Sequence, residues 1–166
     1  MKRLIVLLVT ILALATGFST VAQAKYASIV VNETTGEVMY SRNADKQLYP
    51  ASLTKIMTLY MVFEALDNGK IHMDTKMRVS KLAASRSPSK LGLRPGSHIT
   101  VKNAIYALIT KSANDVATVI SEHLGESERD FAQKMTRKAR ALGMKRTTFR
   151  NASGLPHSKQ KSTARD

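Results

Sequence analysis

A chain of 166 residues with 26 Lys and Arg against 12 Asp and Glu carries a formal charge of +14 at neutral pH. That length holds one ordinary domain, and the absence of cysteine excludes thiol catalysis, disulfides and cysteine-held metals. The positive balance attracts polyanions such as nucleic acid, anionic lipid or acidic wall polymers.

The N-terminus narrows that choice. Lys2 and Arg3 form a short basic region, Leu4 to Gly17 is almost wholly apolar, and Ala22-Gln23-Ala24 ends it as a small-x-small cleavage site. These parts in this order make a secretory signal peptide over residues 1–24, leaving 25–166 as one domain. The alternative, an uncleaved anchor, asks for about 20 apolar residues. Export to the periplasm or cell envelope argues against nucleic acid. The basic clusters at Lys134–Arg150 and Lys159–Arg165 then read as a solvated surface with wall affinity.

Tyr26–Val31 and Glu37–Arg42 read as strands joined by turn chemistry at Asn32–Gly36, a β-hairpin. After a polar loop, Pro50 introduces a helix from Ala51 to Asn68, with Gly69 as its stop. Its apolar residues, among them Leu53, Ile56, Met57, Leu59, Val62, Phe63 and Leu66, surround the axis, which predicts a helix buried on all sides at the centre of the domain. Met73–Gly96 is mixed, with a loop at Ser85–Lys90 and a turn at Arg94-Pro95-Gly96. Helices follow at Val101–Ile109, capped by Thr100 or the segment before it, at Asn114–Leu124, and at Ser127–Leu142, with a break at Thr110-Lys111-Ser112. Asn151–Asp166 is polar and loop-like, without a strong core signal.

Ser52 and Lys55 lie three residues apart at the start of the apolar helix, on one face. A serine hydroxyl needs a base to become a nucleophile. A lysine becomes that base when burial lowers its pKa. Ser-x-x-Lys occurs three times, but Ser87 with Lys90 falls in a proline-containing polar loop, and Ser158 with Lys161 in a solvated stretch. Only Ser52 opens an apolar helix. The plain alternatives are an N-cap serine and a snorkelling lysine. Ser112-Ala113-Asn114 sits at the break between two helices, where a second serine could relay a proton and an asparagine amide could bind a carbonyl or a buried ammonium. A helix cap is the plain alternative here too. There is no Gly-x-Ser-x-Gly elbow and no His-Glu-x-x-His helix, and His72, His98, His123 and His157 lack ligand spacing.

Taken together, Pro50-Ala51-Ser52-Leu53-Thr54-Lys55-Ile56-Met57-Thr58 and Lys111-Ser112-Ala113-Asn114-Asp115 resemble the first two motifs of the low-molecular-mass penicillin-binding proteins, the D-alanyl-D-alanine carboxypeptidases of peptidase family S11. Asn151 with Gly154-Leu155-Pro156, then Ser162-Thr163-Ala164-Arg165-Asp166, are also similar. The resemblance implies an α/β (α+β) fold of the penicillin-binding protein and serine β-lactamase type. It implies Ser52 as nucleophile on the carbonyl between two D-alanines, Lys55 as the base, Ser112 as proton shuttle and Asn114 as substrate-binding residue. The Ser52 N–H would be one oxyanion donor. Peptidoglycan stem peptides would be substrates, β-lactams acylating inhibitors, and no metal or organic cofactor is implied. Ala113, where class A β-lactamases typically carry Asp, favours the peptidase.

The family's third motif, Lys-Thr-Gly, does not occur in these residues; Thr34-Thr35-Gly36 lies in the hairpin turn without a lysine before it. The expectation is therefore a truncated catalytic domain: a helical cluster with an N-terminal hairpin, the C-terminal sheet strands missing, and no stable membrane anchor once the signal is cleaved. The alternative function is a non-catalytic peptidoglycan-binding remnant. A merely cationic surface binder is a third reading, separable by its sensitivity to salt.

Overall fold

The computed structural model describes residues 26–166, so the signal peptide at 1–24 lies outside the described residues. Strands β1 (Ser28–Val31) and β2 (Val38–Arg42) pair antiparallel, with a register shift between Val30 and Val31. The Asn32 side chain closes their turn by accepting from the amides of Thr34 and Thr35 at 2.9 and 3.0 Å. A single 3-10 turn, Ala51–Leu53, leads into α1 (Thr54–Asp67). A second antiparallel pair, β3 (Lys76–Arg78) and β4 (His98–Thr100), flanks the short helix α2 (Lys81–Ser85). Helices α3 (Val101–Lys111), α4 (Asn114–Leu124) and α5 (Glu128–Ala141) complete the order.

The longer helices start close to where the sequence places them, while α2 is a correction, a five-residue helix inside a stretch read as mixed. Thr100 caps α3 by accepting from Asn103 N–H, and Ser127 caps α5 by accepting from Asp130 N–H, each supplying an acceptor that a helix start otherwise lacks. α3 runs through Thr110 and Lys111, so the break is shorter than the sequence implies and sits at Ser112–Ala113. The pair β3–β4 is a correction: the expectation of the hairpin as the sole sheet misses it. Three-residue strands are too short to carry a readable alternation, although their middle residues, Met77 and Ile99, do point into the core.

The larger correction concerns the centre. Helix α1 is not buried on all sides: Thr54, Lys55, Met57, Thr58 and Val62 face inward, while Ile56 is 65% exposed and Tyr60 and Phe63 are also open. Its outer face lines an apolar groove of about 570 Å³ with Tyr26, Leu48 and Leu142. The central helix is α4, in which nine of eleven residues are buried. Around it pack Met77, Ile105, Leu108, Phe131 and Met135. Residues 151–166 form no helix or strand, as expected, yet Ala152, Ser153 and Gln160 are fully buried. Their backbone joins the body through bridges between Leu48 and Ser162 and between Thr148 and Lys161. Among the described residues, no helix is long and apolar enough to cross a membrane.

Candidate active site

Pro50 and the 3-10 turn present Ser52 at the mouth of α1, exposed to solvent. One helical turn further, Lys55 is buried against α4, only 4% exposed. Its ammonium donates to Asn114 Oδ1 at 2.8 Å and to the Ser153 carbonyl at 2.6 Å. Two of its three donors are thus spent on neutral acceptors, and no carboxylate is among these partners. Burial therefore dominates and pushes the Lys55 ammonium down from 10.5 to about 8.

Asn114 is itself fixed at the first position of α4. Its amide nitrogen donates to the Pro88 carbonyl at 2.5 Å, and its backbone N–H to the Ser89 carbonyl at 2.8 Å. Ser112 occupies the break ahead of it, half-buried and in a left-handed conformation at φ 51°. The structure thus brings Lys55 and Asn114 into direct contact and sets Ser52 and Ser112 at the ends of the elements that carry them. Neither serine hydroxyl is hydrogen-bonded to Lys55. The other two Ser-x-x-Lys pairs separate from this arrangement: Ser87, Lys90 and Ser158 are exposed, and Lys161 lies over the Tyr49 ring at 3.2 Å.

Three contributors escape a reading of the sequence. Asp115 is fully buried, and its carboxylate accepts from the amides of Leu91, Gly92 and Leu93, holding the 88–93 loop over Asn114. Ser153 acts through its backbone carbonyl, which no side-chain motif reveals. Gln160 is buried and accepts from the amides of Arg150 and Asn151 at 2.8 and 3.1 Å. A polar residue in a stretch without hydrophobic periodicity gives no sign that it is buried.

Beside Ala51, a cleft of about 460 Å³ opens between Tyr49 and the Gly154–Ser158 loop. A larger cavity of about 760 Å³, lined by Ser80, Lys81, Glu122 and His123 among others, shares no lining residue with it. All four histidines are exposed. No group of three or more His, Asp or Glu side chains among the described residues is placed to hold a metal ion.

The sequence profile of peptidase family S11, D-alanyl-D-alanine carboxypeptidase, matches residues 16–166. The D-alanyl-D-alanine carboxypeptidase DacF of Bacillus subtilis is 40% identical over 148 residues, covering 89% of this chain and 38% of its own length. The crystal structure of the D-alanyl-D-alanine carboxypeptidase DacD from Francisella tularensis superposes with a TM-score of 0.81 at 34% identity, covering 84% of this chain and 34% of that one. Penicillin-Binding Protein D2 from Listeria monocytogenes in its ampicillin-bound form gives a TM-score of 0.74 at 34% identity, over 84% of this chain and 56% of that one. The chain thus spans little more than a third of the length of the curated relatives it matches, and its helices and small sheets are part of a penicillin-binding protein fold. This chain belongs to the D-alanyl-D-alanine carboxypeptidase family, peptidase S11.

Proposed function

We propose that this chain carries the acylating machinery of an exported serine-type D-Ala-D-Ala carboxypeptidase. The buried Lys55 is the observation that supports it. A lysine with a pKa of about 8 is neutral in about one molecule in ten at pH 7, enough to act as a base in a pre-equilibrium step. Asn114 and Ser153 hold its nitrogen one turn from Ser52.

Ser52 Oγ attacks the carbonyl carbon of the bond between the two D-alanines of a peptidoglycan stem peptide, and its proton passes to Lys55 Nζ. The tetrahedral intermediate collapses to an ester on Ser52, while the departing D-alanine amine takes up a proton through Ser112. Asn114 helps position the substrate. Water then cleaves the ester, releasing the shortened peptide and restoring the serine. A β-lactam acylates the same hydroxyl when its ring amide opens. The complexes of Penicillin-Binding Protein D2 with ampicillin and with cefotaxime lend support from a related fold. That neither serine hydroxyl is hydrogen-bonded to Lys55 favours the second reading, a peptidoglycan-binding remnant without turnover.

Intact-mass measurement after incubation with benzylpenicillin separates the two. The chain is expected to gain one penicilloyl group, and Ser52→Ala none. A chain folded by circular dichroism that stays unmodified would overturn the enzymatic reading and leave the remnant.

A further inference from the structure

Residues 152–154 run along one side of α1 toward its N-terminal end. The Ala152 carbonyl accepts from Thr58 Oγ1 at 2.7 Å, the Ser153 carbonyl accepts from Lys55 Nζ at 2.6 Å, and Gly154 lies against Ala51 and Ser52. Positions 58 and 55 fall on one face of α1, so residues 152 and 153 follow successive turns of the helix, and residue 154 ends on the Ala51–Ser52 backbone just ahead of it.

The last contact tolerates only glycine. A β-carbon on Gly154 would stand 1.9 Å from the Ala51 carbonyl oxygen, 2.4 Å from its carbon and 3.1 Å from Ser52 N. These are backbone atoms, so relief requires moving the chain that carries Ser52. That chain is already constrained: Ala51 holds φ 46°, a conformation that residues with a β-carbon seldom adopt. The loop on the other side is latched. Asn151 Oδ1 accepts from Gly154 N–H at 2.7 Å, Asn151 Nδ2 donates to the Leu155 carbonyl at 2.9 Å, and buried Gln160 holds the Arg150 and Asn151 amides.

We infer that Gly154 is a positioning residue for Ser52. Its bare α-carbon lets the Asn151–Gly154 turn press on the Ala51–Ser52 peptide, fixing the nucleophile in register with the Lys55 amine that the neighbouring Ser153 carbonyl holds. The inference rests on Ser52 as the acylated nucleophile. Displacement of a reacting group by about 1 Å costs on the order of 100-fold in rate.

The test measures the acylation rate constant with a fluorescent penicillin, and the thermal midpoint, for the full chain and four variants. Gly154→Ala is expected to acylate at least about 100-fold more slowly. Gly143→Ala is the control for backbone strain alone: Gly143 has φ +84° beside +88° at Gly154, but nothing lies within 4 Å of its would-be β-carbon. It should lose less thermal stability than Gly154→Ala and keep its acylation rate. Should Gly154→Ala fail to fold, Asn151→Ala and Asn151→Asp decide. The alanine variant frees the turn and slows acylation, while aspartate keeps the acceptor for Gly154 N–H and restores much of the rate. A full chain that is not acylated at Ser52 overturns the reading on which the inference rests. An acylated full chain whose Gly154→Ala variant, or whose Asn151→Ala variant where the former does not fold, reacts as fast as Gly143→Ala overturns the role of Gly154 alone.

Discussion

The β1–β2 hairpin and helix α4 are built on opposite terms. The hairpin is rich in the residues that favour strands, Val30, Val31, Val38, Met39 and Tyr40, and each of these is more than 40% exposed. Helix α4 mixes apolar residues with Asn114, Asp115, Thr118 and Ser121, all of them buried. Composition alone would reverse their places. What separates them is partnership. In α4 every one of these polar side chains is satisfied: Asn114 by Lys55 and Pro88, Asp115 by the 91–93 amides, Thr118 by Arg86 and Glu128, and Ser121 by the Thr118 carbonyl. Burial then costs little, because each lost hydrogen bond to water is replaced. The hairpin has its internal ladder, but these five side chains stay open, and a two-stranded sheet on its own is marginal.

This contrast can be broken by measurement. The largest effect belongs to the core around α4. Phe131 is 0% exposed, and Phe131→Ala is expected to cost about 3–5 kcal/mol in urea unfolding. A loss below about 1 kcal/mol would mean that the helical body does not carry the stability assigned to it.

Next comes the buried amine between α1 and α4. Lys55 titrates at about 8 in the fold, below its ordinary 10.5. Between those values the unfolded chain binds a proton that the folded chain has given up, so stability rises with pH across that window. The Lys55 contribution approaches about 3 kcal/mol over the full interval. It appears as the difference between the chain and Lys55→Met when urea midpoints are followed from pH 7.5 to 10. Parallel curves would show that Lys55 keeps a normal pKa.

The smallest effect falls on the hairpin. Tyr40, half exposed on β2, is expected to change stability by no more than about 0.5 kcal/mol on replacement by Thr, another strand former. A loss several times larger would show that the hairpin is covered in solution, and the comparison with α4 would dissolve.

Much of the fold was legible because local chemistry decided it. The Asn32 turn, the Thr100 cap, the helix beginning at Ser127 and the span of α4 follow from short-range rules and match the structure closely. The spacing of Ser52 and Lys55 was legible because it is local: the 3-10 turn that carries Ser52 runs directly into the first turn of α1. The short pair β3–β4 was not, because three residues carry no period. Nor was the open outer face of α1: apolar residues all round a helix state that it can be buried, not what comes to bury it.

The sequence by itself determined the four longer helical segments, the Thr100 cap and the residue types that make Ser-x-x-Lys and Ser-x-Asn candidates for chemistry, since these depend on neighbours within a few positions. Tertiary structure alone decided that α4 is the centre and that Lys55 is desolvated by meeting Asn114, 59 positions away, and the Ser153 carbonyl, 98 positions away. It also decided that a loop without hydrophobic pattern is the support of the Ser52 backbone. A backbone carbonyl and a glycine's missing β-carbon have no side-chain signature. Their effect exists only once packing brings them against another part of the chain.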